Sequence, residues 1–173
     1  MKYMRKDKKK RAPCRQPICG LWAAARCCGI RLDTAEKTQS FRNRLLVNNI
    51  IHRNGNWVGG TNDDERNRIC SFLGFAVEDM FRDLIHKKGP ETTITVKTLL
   101  NSVAFFKTRE QYMLCVDQHV LYVKTNIMRR KLWVSDQRGK PMRVIRKGTN
   151  GPDFELESML GRHVVSVCAV RKN

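Results

Sequence analysis

Apolar positions along the chain recur mostly at helical spacing. Phe41, Leu45, Leu46, Ile50 and Ile51 form one stripe behind Ser40, a good N-cap, and Asn54-Gly55 stops it. In residues 63–88 a second stripe runs through Ile69, Phe72, Leu73, Ala76, Val77, Met80, Phe81, Leu84 and Ile85. Acids crowd its first turn and lysines its last, as the helix dipole prefers. The pattern predicts one helix roughly 40 Å long at 1.5 Å per residue. Gly89-Pro90 ends it, and Thr92-Thr93-Ile94-Thr95 reads as extended. Residues 96–106 then read as a short helix capped by Thr95, and residues 109–126 as a further helix with Tyr112, Leu114, Val116, His119, Val120 and Val123 near one face.

A long central helix whose apolar stripe covers more than one side cannot bury that surface against two helices of about a dozen residues each. A second chain is therefore expected, and the isolated chain should expose Phe72, Ala76, Met80 and Leu84. The loop WVGGTNDD before the long helix frees the backbone at Gly59-Gly60 and offers Thr61 or Asn62 as a cap.

Short helix, loop, long helix, loop, short helix resembles the histone fold. Residues 91–126 are similar to histone H2B: TTITVKTLLNSVAFF resembles its second loop and third helix, and KTREQYMLCVDQHVLYVKTN its C-terminal helix, including Glu110, Val116 and Val123. QSFRNRLLVNNIIH is a weaker match to the first helix. The resemblance implies a mainly α histone fold over residues 39–128, between a basic, cysteine-containing tail (1–38) and a basic C-terminal extension (129–173). It implies a divergent core histone, as from a large DNA virus or a unicellular eukaryote. Such a chain would pair with a histone 2A-like partner through Phe72, Leu73, Ala76, Met80, Leu84, Leu99 and Val103. With the other core histones it would wrap double-stranded DNA without reading sequence. Arg42 and Arg44 would enter the minor groove. Gly60, Thr61 and Asn62 in one loop, and Lys87, Lys88, Thr92, Thr93 and Thr95 in the other, would hold phosphates. Glu110 would remain from the family's acidic patch, with Gln118 where a second acid is expected. The implied location is the nucleus and chromatin, or a virion.

Charge points the same way. The 173 residues carry 34 Lys and Arg against 16 Asp and Glu, a formal net charge of +18, which makes nucleic acid the default partner. It also leaves room for a mitochondrial ribosomal or other RNA-binding structural protein, and disfavours a histone-fold transcription-factor subunit. No apolar run reaches the roughly 18 residues of a membrane span. PICGLWAAARCCGI resembles the apolar part of a signal peptide but is interrupted by Arg26.

Seven cysteines, an odd number, fit a reducing compartment better than a disulfide framework. Cys14, Cys19, Cys27 and Cys28 lack the paired C-x2-C spacing of a structural zinc site, and Cys70 and Cys115 read as small core residues. His52, His86, His119 and His163 show no triad spacing, and no phosphate loop or nucleophile elbow is visible. The expectation is a protein that is not an enzyme, with no metal, cofactor or small-molecule substrate. In the extension, residues 132–135 and 142–145 flank DQRGKP as a hairpin, and RHVVSVCAV reads as a strand.

Overall fold

Residues 111–116, QYMLCV, are apolar from Tyr112 onward, and in the computed structural model they form an inner strand of an antiparallel sheet. The structure describes residues 18–51, 61–81, 94–101, 106, 111–116, 119–126, 131–135, 142–145, 148–149 and 161–173. Four helices are present among them: α1 (Cys19–Cys27), α2 (Ala35–Val47), α3 (Asp63–Phe72) and α4 (Val96–Asn101). The strands are β1 (Phe75–Asp79), β2 (Gln111–Val116), β3 (His119–Asn126), β4 (Lys131–Ser135), β5 (Met142–Ile145), β6 (Gly148–Thr149) and β7 (Val164–Lys172). They make one sheet in the order β1-β7-β2-β3-β4-β5-β6, every neighbour antiparallel. The last strand of the chain enters between β1 and β2, so the C-terminal segment completes the sheet.

The sheet is covered on both faces, which explains why β2 and β3 are apolar without alternation. Met113, Cys115, Val120, Tyr122, Cys168 and Val170 face the layer of α1, α2 and α3, where Leu21, Ala24, Leu45 and Ile69 complete a core. Tyr112, Leu114, Leu121, Val123, Val167 and Ala169 face the other side and pack on Leu99 and Leu100 of α4 together with Met80, Ile94 and Phe106. Phe106 meets Tyr112 edge-on at 5.0 Å between ring centres. Fully burying a side chain such as Leu99 or Leu114 contributes about 1.5–3 kcal/mol, so each face has its own source of stability.

This mixed α/β architecture overturns the mainly α histone fold and the kinship to histone H2B. The expected long helix stops at Phe72. Leu73 and Gly74 turn the chain, Gly74 at φ +86, a backbone conformation that glycine takes without a steric penalty. The chain then re-enters as β1, in which Phe75 and Val77 are half-buried and Ala76 and Glu78 exposed. The helical spacing read across Phe72, Leu73, Ala76 and Val77 is thus a helix end followed by a strand of period two. The expected C-terminal helix is the β2–β3 hairpin, with Cys115 opposite Val120 and Val116 opposite His119. Its Tyr, Cys and Val side chains favour a pleated surface, and the sheet outweighs the weak helical periodicity. The first expected helix is present as α2 but starts earlier, capped by Thr34, whose side chain accepts from the Lys37 N–H at 3.2 Å. The helix expected over residues 96–106 starts as α4, with Thr95 Oγ1 accepting from the Thr98 N–H at 3.2 Å, but Phe106 is not helical.

The partners implied by that kinship fall with it. Met80 is 5% exposed and Leu99 0%, both covered by the chain's own sheet, so neither is a surface awaiting a histone 2A-like chain. Thr95, expected to sit in a loop pair between two chains, bridges His163 of its own chain. With the histone dimer gone, the basis for wrapping double-stranded DNA, for the other core histones and for a nucleosome-like function is gone as well.

Candidate functional site

Cys19 is the first residue of α1. The residue before it, Ile18, carries no side-chain acceptor, so the first-turn N–H groups of α1 are not satisfied by an N-cap side chain. α2 and α3 differ, being capped by Thr34 and by Asn62. The positive end of the α1 dipole lies beside the Cys19 sulfur, a setting that favours thiolate. α1 lies within the segment expected as an N-terminal tail, and Leu21, Ala23, Ala24, Ala25 and Cys27 bury it against the sheet.

His119 opens β3 and lies across from Cys19. His119 and the backbone of Val120 and Gly20 lie near enough to the sulfur to act on its proton affinity. Burial pushes the Cys19 thiol up, but His119 and these backbone groups together outweigh it and hold the thiol below its ordinary range. Cys19 is half-buried, and with His119 it lines a cavity of about 550 Å³.

A brace from α3 holds the cavity's other wall. Asn62 and Glu65 form a reciprocal cap, Asn62 Oδ1 accepting from the Glu65 N–H at 2.8 Å and Glu65 Oε1 from the Asn62 N–H at 3.3 Å. Arg66 is buried beneath it. Its guanidinium donates to the Thr61 carbonyl at 2.5 Å, to Cys115 Sγ on β2 at 3.3 Å, and to the Asp63 carboxylate. Thr61 in turn presses on α1: a Cβ on Gly20 would lie 1.9 Å from Thr61 Oγ1 and 3.4 Å from Arg66 Nη1. Glycine after Cys19 is thus what lets this segment close against the helix N-terminus.

The remaining described cysteines contrast with Cys19. Burial pushes Cys27, Cys115 and Cys168 up, Cys168 to about 12. Cys28 is also raised, first by its hydrogen bond to Cys70, while that same contact lowers Cys70 inside a fully buried site. Cys19 alone joins a lowered thiol to a cavity and a histidine. Among the described residues no group of three or more His, Cys, Asp or Glu side chains is arranged to hold a metal, and no helix is long and apolar enough to cross a membrane.

The residues singled out from sequence are scattered. Thr61 and Asn62 lie at this cavity, Asn62 as the α3 cap. Arg42 is buried in α2, while Arg44 is exposed and stacks over Phe72 at 5.2 Å. Phe72 and Leu73 are half-buried at the end of α3, and Ala76 is exposed on β1. Gly60, Leu84, Lys87, Lys88, Thr92, Thr93, Val103 and Glu110 lie outside the described residues. From sequence, Cys19 is weighed only as a metal ligand, and His119 is set aside because the histidines show no triad spacing. The pair is a hundred positions apart in sequence and meets only through the packing of α1 on β2 and β3. The local signal was a cysteine followed by glycine at the head of an apolar run, CGLWAAA.

No protein-family model, curated protein or solved structure matches this chain.

Proposed function

We propose that the protein is a thiol-dependent hydrolase acting on an acyl bond, an amide or an ester, with Cys19 as nucleophile and His119 as general base and acid. The observation that carries this reading is that Cys19, at the N-terminus of α1, and His119 line one cavity of about 550 Å³, with His119 acting to lower the Cys19 thiol. A nucleophile within hydrogen-bond reach of a base is the signature of covalent catalysis. The cavity volume falls in the range of small-molecule and peptide-segment sites.

In the first step His119 takes the Cys19 proton as the sulfur attacks the substrate carbonyl carbon, forming a C–S bond. The oxyanion that develops lies at the N-terminal end of α1, where the helix dipole favours negative charge. His119 returns the proton to the leaving nitrogen or oxygen as its bond to carbon breaks. Water, deprotonated by His119, then attacks the thioester; the acid product departs and the thiol is restored. Arg66 and Thr61 act as positioning residues, fixing the wall that faces the sulfur. This reading departs from the expectation of a non-enzyme, which rested on sequence spacing and carried no view of residues brought together by packing.

The test is turnover and trapping. The purified chain, offered a panel of activated esters and a mixed peptide library, is expected to accumulate a mass increment on Cys19 corresponding to an acyl group, and to release acid product. Cys19→Ala and His119→Ala should abolish both. Turnover that survives Cys19→Ala would exclude this mechanism.

A further inference from the structure

β2 and β7 lose register at the cavity. Cys115 pairs with Ser166, yet the next residue, Val116, pairs with Val164, leaving Val165 as an extra residue on β7. Such a bulge bends the strand and re-aims the side chain of the inserted residue. The consequence is visible in burial. Val164 is 6% exposed and Val167 0%, whereas Val165 is 56% exposed. Val165 lines the same cavity as Cys19 and His119, on a wall continued by Val116 and Val120. Of the other lining residues, Asp63 and Arg66 are paired with each other.

We infer that Val165 is a specificity-determining residue, and that the substrate is a peptide or peptide-like acyl compound carrying an aliphatic or aromatic side chain next to the scissile bond. Val165 differs from the more exposed Val47 in that its side chain lines the cavity that holds Cys19. It gains a covering only when an apolar group enters the cavity. A carboxylate or ammonium packed against Val116, Val120 and Val165 would lose water there without gaining apolar contact. The inference rests on Cys19 being the nucleophile of this cavity, and the experiment keeps the two ideas separate.

The probes are N-acetyl amino acid chloromethyl ketones bearing Leu, Phe, Asp or Lys side chains, with iodoacetamide as a probe that has no side chain. In each ketone reaction the Cys19 thiolate displaces chloride, forming a thioether and releasing the halide. Rates at Cys19 are read by peptide mapping. The Leu and Phe ketones are expected to modify wild-type Cys19 about tenfold or more faster than the Asp and Lys ketones, the scale at which apolar pockets discriminate. Val165→Asp should lower that ratio, most of all against the Lys ketone, and Val165→Leu should keep it; each ketone rate is divided by the same variant's iodoacetamide rate, because a carboxylate in the cavity also disfavours the thiolate. A ratio near one in the wild type, or one untouched by Val165→Asp, overturns the inference whatever the iodoacetamide rate. A slow, ordinary iodoacetamide reaction with the ratio intact would instead remove the activated nucleophile and leave the apolar recognition standing.

Discussion

Gly20 and Thr61 approach so closely that the smallest side chain added to the glycine would fall 1.9 Å from the threonine Oγ1. Gly20→Ala therefore has to push the segment that carries Thr61 and Arg66 away from the head of α1. Overpacking of this kind costs about 1–3 kcal/mol, read as a lower urea midpoint. Thr61→Ala removes the clashing oxygen, so the double variant Gly20→Ala/Thr61→Ala should regain part of the loss. Additive losses would mean that the two residues do not press on one another.

Arg66 ties α3 to β2 and to the Thr61 carbonyl from a buried position, its side chain 8% exposed. Arg66→Met keeps the stem and removes the one guanidinium, which donates to Thr61, Asp63 and Cys115. Hydrogen bonds from a charged group contribute about 1.5–3 kcal/mol, while the Asp63 partner is mostly exposed and adds little. We expect a net loss of about 2 kcal/mol by chemical denaturation, with an unchanged m-value. Stability equal to wild type would show that the brace is dispensable.

What could be read from the chain, and what could not, divides along the range of the interactions. Thr95 as a cap, the hairpin around residues 132–135 and 142–145, and a strand near the C-terminus were all legible because they depend on a few neighbouring residues. The stretch from Phe72 to Met80 was misread because five strand residues following a helix reproduce helical spacing, and only the turn at Gly74 distinguishes the two. β2 was misread because a strand buried on both faces shows no alternation, and its partners β3 and β7 cannot be assigned locally. The candidate site was hidden for the same reason: Cys19, Arg66 and His119 come from α1, α3 and β3. Asn62 as the cap of the following helix was legible for the same local reason as Thr95, and with Thr61 it lines the cavity.

Tyr122 offers an alkaline probe of the helical layer. Its hydroxyl donates to Gln111 Oε1 at 2.6 Å, its ring meets Trp22 edge-on at 6.2 Å, and the Arg26 guanidinium lies 5.3 Å from the ring centre. Burial pushes the phenol up to about 12, with a smaller contribution from Cys27. The folded state thus prefers the neutral form, and the unfolded chain ionises first, near pH ~10. This contribution to stability is fully present below that pH and is lost as pH rises through about 12. Tyr122→Phe should flatten the decline over that window in denaturation curves taken at successive pH values. An identical decline in the variant would place the sensitivity elsewhere.

The central claim is that His119 activates Cys19, and the pH dependence of Cys19 alkylation tests it most directly. Iodoacetamide reacts with the thiolate, and peptide mapping separates Cys19 from the other six of the seven cysteines. In the wild type the rate is expected to rise with a midpoint below the ordinary cysteine value of about 8.5, in the direction set by His119 and the α1 backbone donors. His119→Ala should move that midpoint upward, because burial then acts with less opposition. A wild-type midpoint at or above that of free cysteine, unmoved by His119→Ala, would contradict the account.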